Sequence, residues 1–522
     1  MSNNSFSRVS QSPTRPKVKS KGGRFDVAEL YQGPLGDAAP TESHDGLDEK
    51  LRQAYFWVVN EGIISPFYDI SYNSKAPQSF NFGTAKVPIE LPTDQSYSSY
   101  VLLPLLNLAV RRRCLLVGGP GRGKTVIATI LGVLSGYSIK EVQRGIQHGQ
   151  PQMTIADLLG NPLPSSLMNA KSMDEVVISW RKWLGMRIKI IDEYNRIPTR
   201  TQSALLTVMA DNYAELYDQI FECPPAAWYL TANDDAGGGT YQVIEALRDR
   251  IDVVVKALHF NSRFIRKLLL RIEAGISPQD IVPDEIIFSE AELQQISKEI
   301  HQIPFPDRLR RRLEYFVSQF EFFEPGAKCF DYMTKDTVKI AGVPFNSFTD
   351  TSNDQTQNIG GQTQNGISVR AIMTIIVFVK GMAYFRGNSE VAFDDIRQII
   401  PFVLHDKLVQ YKDSPFFEQA GHGAYRTDHV SWLRHLFDLS CSEYERLNLD
   451  TDDSVRNELN LFDEGLEGLS DTEIKKRMVR IEKLLRTWNK KKLYGPVLDD
   501  VLSLKYLHQR YTNYWNWLKC QE

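Results

Sequence analysis

The chain reads Gly118-Gly119-Pro120-Gly121-Arg122-Gly123-Lys124-Thr125, followed by Val126. This run fits the pattern G-x-x-x-x-G-K-[ST], in which backbone N–H groups and the lysine hold nucleotide phosphates and the hydroxyl helps to hold Mg²⁺. An apolar strand, Arg113 to Val117, precedes it, and Val126 to Leu131 continues it as a helix. Because strand and helix flank the glycines, we favour a nucleotide-binding loop over a glycine-rich turn with an incidental lysine.

Polar residues also follow two further strands predicted from apolar runs. The strand Arg187 to Ile191 ends in Asp192-Glu193, and the strand Ala227 to Thr231 ends in Ala232-Asn233. Strands that alternate with helices are typical of a parallel α/β sheet, and the carboxyl ends of such strands meet at one crevice. The sequence therefore predicts an α/β fold in which these side chains share a site with the phosphate loop.

This set of residues has the chemistry that ATP hydrolysis requires. The reaction needs positioned phosphates, a divalent cation and a group that orients the attacking water. Lys124 and Thr125 are the candidates for phosphate and metal, and Asp192 is placed to hold Mg²⁺ through water. Glu193 is the candidate for orienting water. An acidic pair alone is usually a surface feature, but its position after a buried strand makes this one a candidate site.

Composition indicates an ordinary globular protein and excludes several other classes. Of 522 residues, 42% are apolar and 24% charged, and the formal net charge of −3 does not indicate nucleic-acid binding. The five cysteines show neither metal-ligand spacing nor a disulfide framework. No run is long and apolar enough to span a membrane, and the N-terminus lacks the apolar segment of a secretory signal. We therefore expect a soluble, cytoplasmic protein.

Several further segments resemble the AAA+ ATPases and, within that class, the MoxR group. They are Asp192-Glu193-Tyr194-Asn195-Arg196-Ile197-Pro198, Thr201-Gln202-Ser203-Ala204-Leu205-Leu206, Thr231-Ala232-Asn233, Gly239-Thr240-Tyr241, Glu245-Ala246-Leu247-Arg248-Asp249-Arg250, Ile303-Pro304-Phe305-Pro306-Asp307 and Ser368-Val369-Arg370-Ala371. The likeness extends over residues 100 to 410. Because the matches occur in the same order as in the group, they are far more specific than the phosphate loop alone.

The resemblance implies ATP hydrolysis with Mg²⁺ and roles for single residues. Asn233 would be the sensor-1 group that helps Glu193 to place water. Arg250 would be the arginine finger presented to the nucleotide of a neighbouring subunit, with Arg248 as the alternative. Arg370 would be the sensor-2 arginine that reaches from a helical lid to the γ-phosphate. The competing interpretation for each arginine is a surface salt bridge. An arginine donated between subunits implies a homo-oligomeric ring, with a hexamer expected.

We divide the chain into a disordered basic tail, an N-terminal extension, an AAA+ α/β core, a helical lid and an all-helical C-terminal extension. Their bounds are 1–23, 24–98, 99–260, 261–410 and 411–522, with an insertion at 325–366 inside the lid. In the insertion we predict a β-like segment and then an exposed, mobile linker, Thr349 to Gly366, because Thr, Asn, Gln and Gly dominate there. The N-terminal extension, the insertion and the C-terminal extension are additions to a minimal MoxR protein. They leave the identity of the partner open but do not affect the ATPase assignment.

The C-terminal extension contains two neighbouring segments of opposite charge. Residues 450–467 are net negative, and residues 471–492 are net positive. The second segment carries an apolar stripe at helical spacing that comprises Ile474, Met478, Ile481, Leu485 and Trp488. We therefore predict that the two segments pack on each other, in preference to binding nucleic acid.

Two classes of function fit these features. The first is an ATP-driven ring that remodels or activates a protein client, for which the resemblance implies a partner with a von Willebrand factor A domain. The alternative is a nucleic-acid-associated motor or restriction-type translocase, which strong stimulation of ATPase activity by DNA would favour. A binding switch with little turnover ranks last, since Lys124, Asp192, Glu193 and Asn233 are all present.

Overall fold

The structure is a computed structural model, and it describes residues 46–64, 66–84, 86–169, 175–233, 245–257, 260–343, 359–489 and 491–521. The tail predicted over 1–23 and the segment Gly239-Thr240-Tyr241 lie outside the described residues.

The described strands are β1 (Ile70–Tyr72), β2 (Gln78–Phe82), β3 (Val87–Leu91), β4 (Gln95–Tyr97), β5 (Arg113–Val117), β6 (Gln147–His148), β7 (Gly160–Pro162), β8 (Ile178–Trp180), β9 (Ile188–Asp192), β10 (Tyr213–Leu216), β11 (Gln219–Glu222), β12 (Ala227–Ala232) and β13 (Val253–Lys256). The described α-helices are α1 (Leu47–Trp57), α2 (Ser99–Val110), α3 (Lys124–Leu134), α4 (Ile139–Gly145), α5 (Ile155–Leu159), α6 (Pro164–Asn169), α7 (Thr199–Asp211), α8 (Glu245–Arg250), α9 (Ile265–Glu273), α10 (Glu290–Gln302), α11 (Asp307–Ser318), α12 (Lys335–Ile340), α13 (Val369–Phe385), α14 (Phe393–Leu404), α15 (His429–Arg446), α16 (Ser454–Asp463), α17 (Asp471–Trp488) and α18 (Gly495–Gln521).

A five-stranded parallel sheet of order β13-β5-β12-β9-β6 forms the centre of the nucleotide-binding region. In the register of its inner strands, Leu115 of β5 lies between Leu230 of β12 and Val254 of β13. Helices cover both faces, so inner strands such as β12 are buried throughout, as the nearly continuous apolar runs require. The prediction of an α/β fold with a helical lid and a helical C-terminal region is confirmed.

Helix α2 joins the sheet to the lid. All of its residues are buried, because it packs on β12 and β13 on one side and on α10 and α13 on the other. A helix that is apolar all round must be surrounded by protein. The polar side chain of Asn107 is satisfied within this interface, where its Nδ2 donates to the carbonyl of Trp228 (3.1 Å). The core and the lid therefore share one apolar interior.

The N-terminal extension is attached to the lid. Helix α1 continues into a wider, π-type turn over Val58–Gly62. Strands β1 and β4 pair with each other, and β1 contacts α14. There the hydroxyl of Tyr72 donates to Asp395 (3.0 Å), and Gln398 donates to the carbonyl of Ser71 (2.7 Å). These buried bonds fix the base of the extension on the lid helices.

The insertion differs from its prediction. Residues 325–343 form short helical turns and α12, not a β-like segment. The described part of the predicted mobile linker, 359–366, is largely buried, and Gln362 and Thr363 are 0% exposed. Trp432 Nε1 donates to Gln362 Oε1 (3.0 Å), and Lys335 Nζ donates to Thr363 Oγ1 (2.8 Å). These two hydrogen bonds offset part of the cost of burying polar side chains.

The helices of the C-terminal extension have an apolar core of their own. Ile474 and Ile481 of the predicted stripe are fully buried against Tyr511 of α18. Arg480 of α17 pairs with Glu458 of α16 at 3.4 Å, so the oppositely charged segments do contact each other. None of the helices in the described parts of the chain combines the length and apolarity needed to cross a bilayer.

Candidate functional site

The phosphate loop lies at the carboxyl end of β5. Gly121 and Gly123 have φ of 72° and 78°, a left-handed conformation that strains residues with a Cβ. A Cβ at Gly118 would lie 2.9 Å from the Ala257 carbonyl oxygen, so this position also requires glycine. Helix α3 begins at Lys124, and its free N-terminal N–H groups make this loop suited to anions.

Lys124 connects the loop to the end of β12. Its Nζ donates to the carbonyl oxygens of Gly118 (2.5 Å) and Gly119 (2.8 Å) and to Asn233 Oδ1 (2.8 Å). The side chain is 7% exposed, so a buried ammonium group is held entirely by oxygen acceptors. The structure thus brings together two of the predicted site residues that lie far apart in sequence.

Asp192 and Thr125 also meet at this edge of the sheet. Thr125 Oγ1 donates to Asp192 Oδ1 (3.0 Å). Thr231 Oγ1 donates to the same carboxylate oxygen at 2.6 Å. Hydroxyl and carboxylate oxygens are the ligands that Mg²⁺ prefers, and phosphate oxygens and water would complete its shell. Thr125 and Asp192 therefore fit a magnesium ion bound together with a nucleotide.

Glu193 is held by contacts at both carboxylate oxygens. Asn233 Nδ2 donates to Oε1 (2.9 Å), and Arg196 Nε lies 3.1 Å from Oε2. The backbone of Glu193 is left-handed, with φ of 54°, and its N–H donates to Thr231 Oγ1 (2.9 Å). Asn233 accordingly contacts both Lys124 and Glu193 and links the phosphate loop to the acidic pair.

The predicted arginines lie together at another place, where α8 meets the lid. Arg370 Nη1 is 2.5 Å from Asp249, and among the described residues no hydrogen bond or ion pair joins it to the phosphate loop. Burial would raise the pKa of Asp406, but the hydrogen bond with His405 and the positive charge of Arg248 bring it below its usual value. Arg248 thus faces a lid carboxylate of its own chain.

Arg250 lies on the same helix as Arg248 but has different surroundings. Its side chain is half-buried, and its Nε has no hydrogen-bond partner among the described residues. The two candidates thus have different surroundings: the negative charge of Asp406 acts on Arg248, whereas Arg250 Nε lacks a partner in the described parts of the chain.

Comparison with known proteins agrees with this geometry. The model of the ATPase family associated with various cellular activities (AAA) matches residues 113–253, and an AAA lid domain model matches residues 357–424. Chaperone MoxR1 of Mycobacterium tuberculosis is 23% identical over 313 residues, which are 59% of this chain and 71% of that protein. These matches support a MoxR-type AAA+ ATPase.

Two other comparisons give further context. The uncharacterised protein YeaC of Bacillus subtilis is 22% identical over 318 residues, which are 60% of this chain and 83% of YeaC. A solved structure of a candidate ATPase from Cytophaga hutchinsonii is 16% identical and superimposes with a TM-score of 0.44, covering 63% of this chain and 88% of that one.

Sequence reasoning missed three residues of this candidate site. Thr231 binds both members of the acidic pair. His148 Nδ1 lies 3.2 Å from Asp192 Oδ2, because the short strand β6 pairs with β9. The N–H of Gly149 donates to the Asp192 carbonyl (2.7 Å), and a Cβ at Gly149 would collide with Glu193 backbone. Position at a strand end could have indicated Thr231, but nothing local indicates the other two.

Proposed function

We propose that this MoxR-type chain hydrolyses ATP with Mg²⁺ at the carboxyl edge of its sheet and works as a ring that remodels or activates a protein partner. The observation that carries the proposal is the hydrogen-bonded series Thr125–Asp192 and Lys124–Asn233–Glu193. It joins residues from separate segments around the phosphate loop. These are the positions at which phosphate, metal and attacking water have to be held.

Each residue has a distinct task in this proposal. Lys124 would exchange its carbonyl acceptors for phosphate oxygens when a nucleotide binds, and Thr125 and Asp192 would hold Mg²⁺. The bound ion supplies charge neutralisation on the phosphates. Glu193 would orient the attacking water and accept its proton, while Asn233 keeps the Glu193 carboxylate in place. Arg196, which now pairs with the other oxygen of Glu193, would help to fix that carboxylate.

A cavity of about 800 Å³ is suited to the nucleoside part of ATP. It lies between the N-terminal extension and the chain that continues from β13, whose next residue, Ala257, packs on Gly118 of the phosphate loop. Its lining is mostly apolar and aromatic with a few amides, as base pockets generally are. The lining residues are Val59, Asn60, Ile63, Pro66, Phe67, Tyr68, Asn261, Ser262, Phe264 and Lys267.

The ring is part of the proposal because the arginines are separated from the phosphate loop of their own chain. We propose that Arg250 is the finger that acts on the nucleotide of the adjacent subunit and that Arg370, held beside it through Asp249, faces the same interface. A finger supplied by a neighbour makes hydrolysis depend on assembly, and a hexamer is the ring we expect.

The partner is inferred from relatives and from charge. MoxR1 is named a chaperone, and we extend this to a protein client, with a von Willebrand factor A domain protein as the candidate. The net charge of −3 does not favour nucleic acid as the substrate. All five cysteines are free, which agrees with the cytoplasmic location we propose.

The test is the variant Glu193→Gln. We expect turnover to fall about 10²- to 10⁴-fold, since this is the usual contribution of general-base catalysis. ATP binding and ATP-dependent assembly should remain, because the side chain keeps its shape. Turnover is measured by phosphate release, with and without DNA, and assembly by sedimentation with ATP.

Glu222→Gln, at an exposed glutamate of β11, is the matched control and should have the activity of the parent protein. Unchanged turnover in Glu193→Gln would refute the assigned role. Strong stimulation by DNA would favour a nucleic-acid motor.

A further inference from the structure

The N-terminal extension contains a hairpin whose entire apolar face is exposed. Strands β2 and β3 pair with each other and with no other described strand, and Phe80 lies opposite Ile89 and Phe82 opposite Val87. Side chains alternate along a strand, and directly opposed residues share a face. One face, the hairpin face, therefore carries Phe80, Phe82, Val87, Ile89 and Leu91, each 47% to 57% exposed. The other face is largely polar and carries Ser79, Asn81, Pro88 and Glu90.

Such a hairpin lacks the support that it needs in water. Two-stranded sheets are only marginally stable unless an apolar face packs against another element. Clustered exposed apolar side chains of this kind mark interaction surfaces. The hairpin face therefore requires a partner surface outside the described part of the protomer.

A second apolar surface lies on α9. Its residues Lys267 and Arg271 donate to the carbonyls of Asn60 (2.6 Å) and Glu61 (2.6 Å), which attaches one side of the helix to the extension. The opposite side, the α9 face, carries Ile265, Leu269 and Ile272 at helical spacing. These side chains are 51%, 49% and 64% exposed.

The two surfaces are attached to the rest of the protomer through different elements. The hairpin continues from β1 and β4, which are fixed on α14 and α15; for example, Arg434 of α15 donates to the Asp69 carbonyl (2.7 Å). Just beyond α14, the carboxylate of Asp406 faces Arg248 of α8. Helix α9 instead follows β13, which leads to Ala257 against the phosphate loop. Along the chain, the hairpin is thus joined to lid helices near Arg248, and α9 follows the strand that leads to the phosphate loop.

We propose that the hairpin face of one protomer docks on the α9 face of the next protomer in the ring. This inference rests on the proposed function, because an arginine donated in one direction requires a head-to-tail contact between two different surfaces. A second copy of this chain supplies the other surface. Contact between two hairpin faces would relate the copies by a two-fold axis and would leave both α9 faces uncovered.

Cysteine cross-linking tests the contact. In a background with the exposed cysteines removed (Cys329→Ser, Cys520→Ser), Ile89→Cys and Leu269→Cys are combined in one chain. With ATP and mild oxidation we expect a ladder of covalent oligomers on a non-reducing gel. The control combines Asn81→Cys, on the opposite hairpin face, with Leu269→Cys. It should give roughly tenfold less product, because disulfides form only over short Cα separations.

Other contacts of the hairpin face would give different cross-linked products. Dimers from Ile89→Cys alone would indicate hairpin-to-hairpin contact, and a disulfide confined to monomers would indicate contact within one chain; either result overturns the proposal. Sedimentation of Glu193→Gln with ATP tests the ring separately. A ring without cross-links overturns the docking but leaves the proposed function standing, whereas a protein that stays monomeric with ATP overturns both.

Discussion

Glu193 shows how a single residue depends on its neighbours. Its left-handed backbone costs about 1–2 kcal/mol for a residue with a Cβ. The conformation is maintained by the bond from its N–H to Thr231 and by the contacts of its carboxylate with Asn233 and Arg196. The close approach of Gly149 fixes the same turn from the other side. Strain that the surroundings maintain is common at catalytic positions, where it aims the side chain.

The variant Thr231→Val tests this arrangement. It removes the acceptor of the Glu193 N–H and one donor to Asp192 while keeping the side-chain shape. We expect turnover to fall about tenfold, or about 1.4 kcal/mol, which is within the range expected for the loss of these two hydrogen bonds. The Mg²⁺ concentration that gives half-maximal activity should rise. Magnesium titrations of ATPase activity measure both quantities.

Thr231→Ser is the control and should restore both quantities, since it retains the hydroxyl. If Thr231→Val lowers the melting temperature but leaves the magnesium dependence unchanged, Thr231 has only a structural role.

At the scale of elements, the burial of polar groups affects both the packing of a segment and the pKa values of its side chains. The segment 359–366 is buried through specific hydrogen bonds despite its polar composition. Helix α18 contains the contrasting case of two half-buried carboxyl groups, Asp499 and Asp500, with no side-chain hydrogen bond to a described residue. Burial, together with the charges of Asp453 and Asp499, raises the pKa of Asp500 to about 7. Burial and the charge of Glu321 raise the pKa of Asp499 to about 6.

The raised pKa values predict that the C-terminal helices weaken as pH rises. A carboxyl group whose folded-state pKa lies above its unfolded value stabilises the fold below the unfolded pKa, near 4, and loses that contribution as pH rises through 6 to 7. Asp500→Asn should therefore stabilise α18 at pH 8 by about 1–2 kcal/mol and have little effect at pH 4. Hydrogen exchange of residues 495–521 at both pH values measures the change.

Glu467→Gln, at an exposed glutamate, is the matched control for the loss of one negative charge. An equal gain from both variants, or a gain of Asp500→Asn that does not depend on pH, would contradict the prediction.

At the scale of the whole molecule, the active site is divided between subunits in our proposal. The phosphate loop and the acidic pair form one part. Helix α8, which carries Arg250, forms the other part and is held to the lid by the ion pair between Asp249 and Arg370. Since the core and the lid share one apolar interior, we expect movement of the lid to move α8 with it. A nucleotide bound at one interface could thereby change the position of the next subunit.

Mixing two inactive variants tests the division. Lys124→Ala should abolish nucleotide binding, and Arg250→Ala should abolish hydrolysis in the neighbouring site. When the two are mixed in equal amounts and assembled with ATP, activity should return to roughly a quarter of the parent value, because random assembly gives one intact interface in four. Steady-state ATPase assays measure the recovery.

Arg248→Ala serves as the comparison, because we expect Arg248 to interact with the lid of its own chain and not with a neighbouring subunit. Complementation by Arg248→Ala instead of Arg250→Ala would reverse the assignment, and a mixture that stays inactive would argue against a shared site.

The sequence by itself determined the phosphate loop, the α/β class and the polar strand ends at Asp192 and Asn233. These features depend on contiguous residues, since a loop that binds phosphate and a strand that is buried must each carry their own local pattern. The order of the strands was not readable, because pairing depends on distant segments. For the same reason the contacts of Thr231 and His148 with Asp192 appeared only in the folded chain.

Tertiary structure also decided which polar residues are buried and which apolar ones are exposed. Composition predicted an exposed linker over 349–366, yet Gln362 and Thr363 are enclosed because protein donors reach them. Composition could not show that the apolar residues of β2 and β3 would share one uncovered face, since this depends on register. The position of Arg370 beside Asp249 likewise follows from how the lid packs on the core. Local sequence determines the side-chain chemistry and the hydrophobic periodicity of a segment. Which side chains are buried, and which groups they bond to, depends on the packing of segments that are remote along the chain.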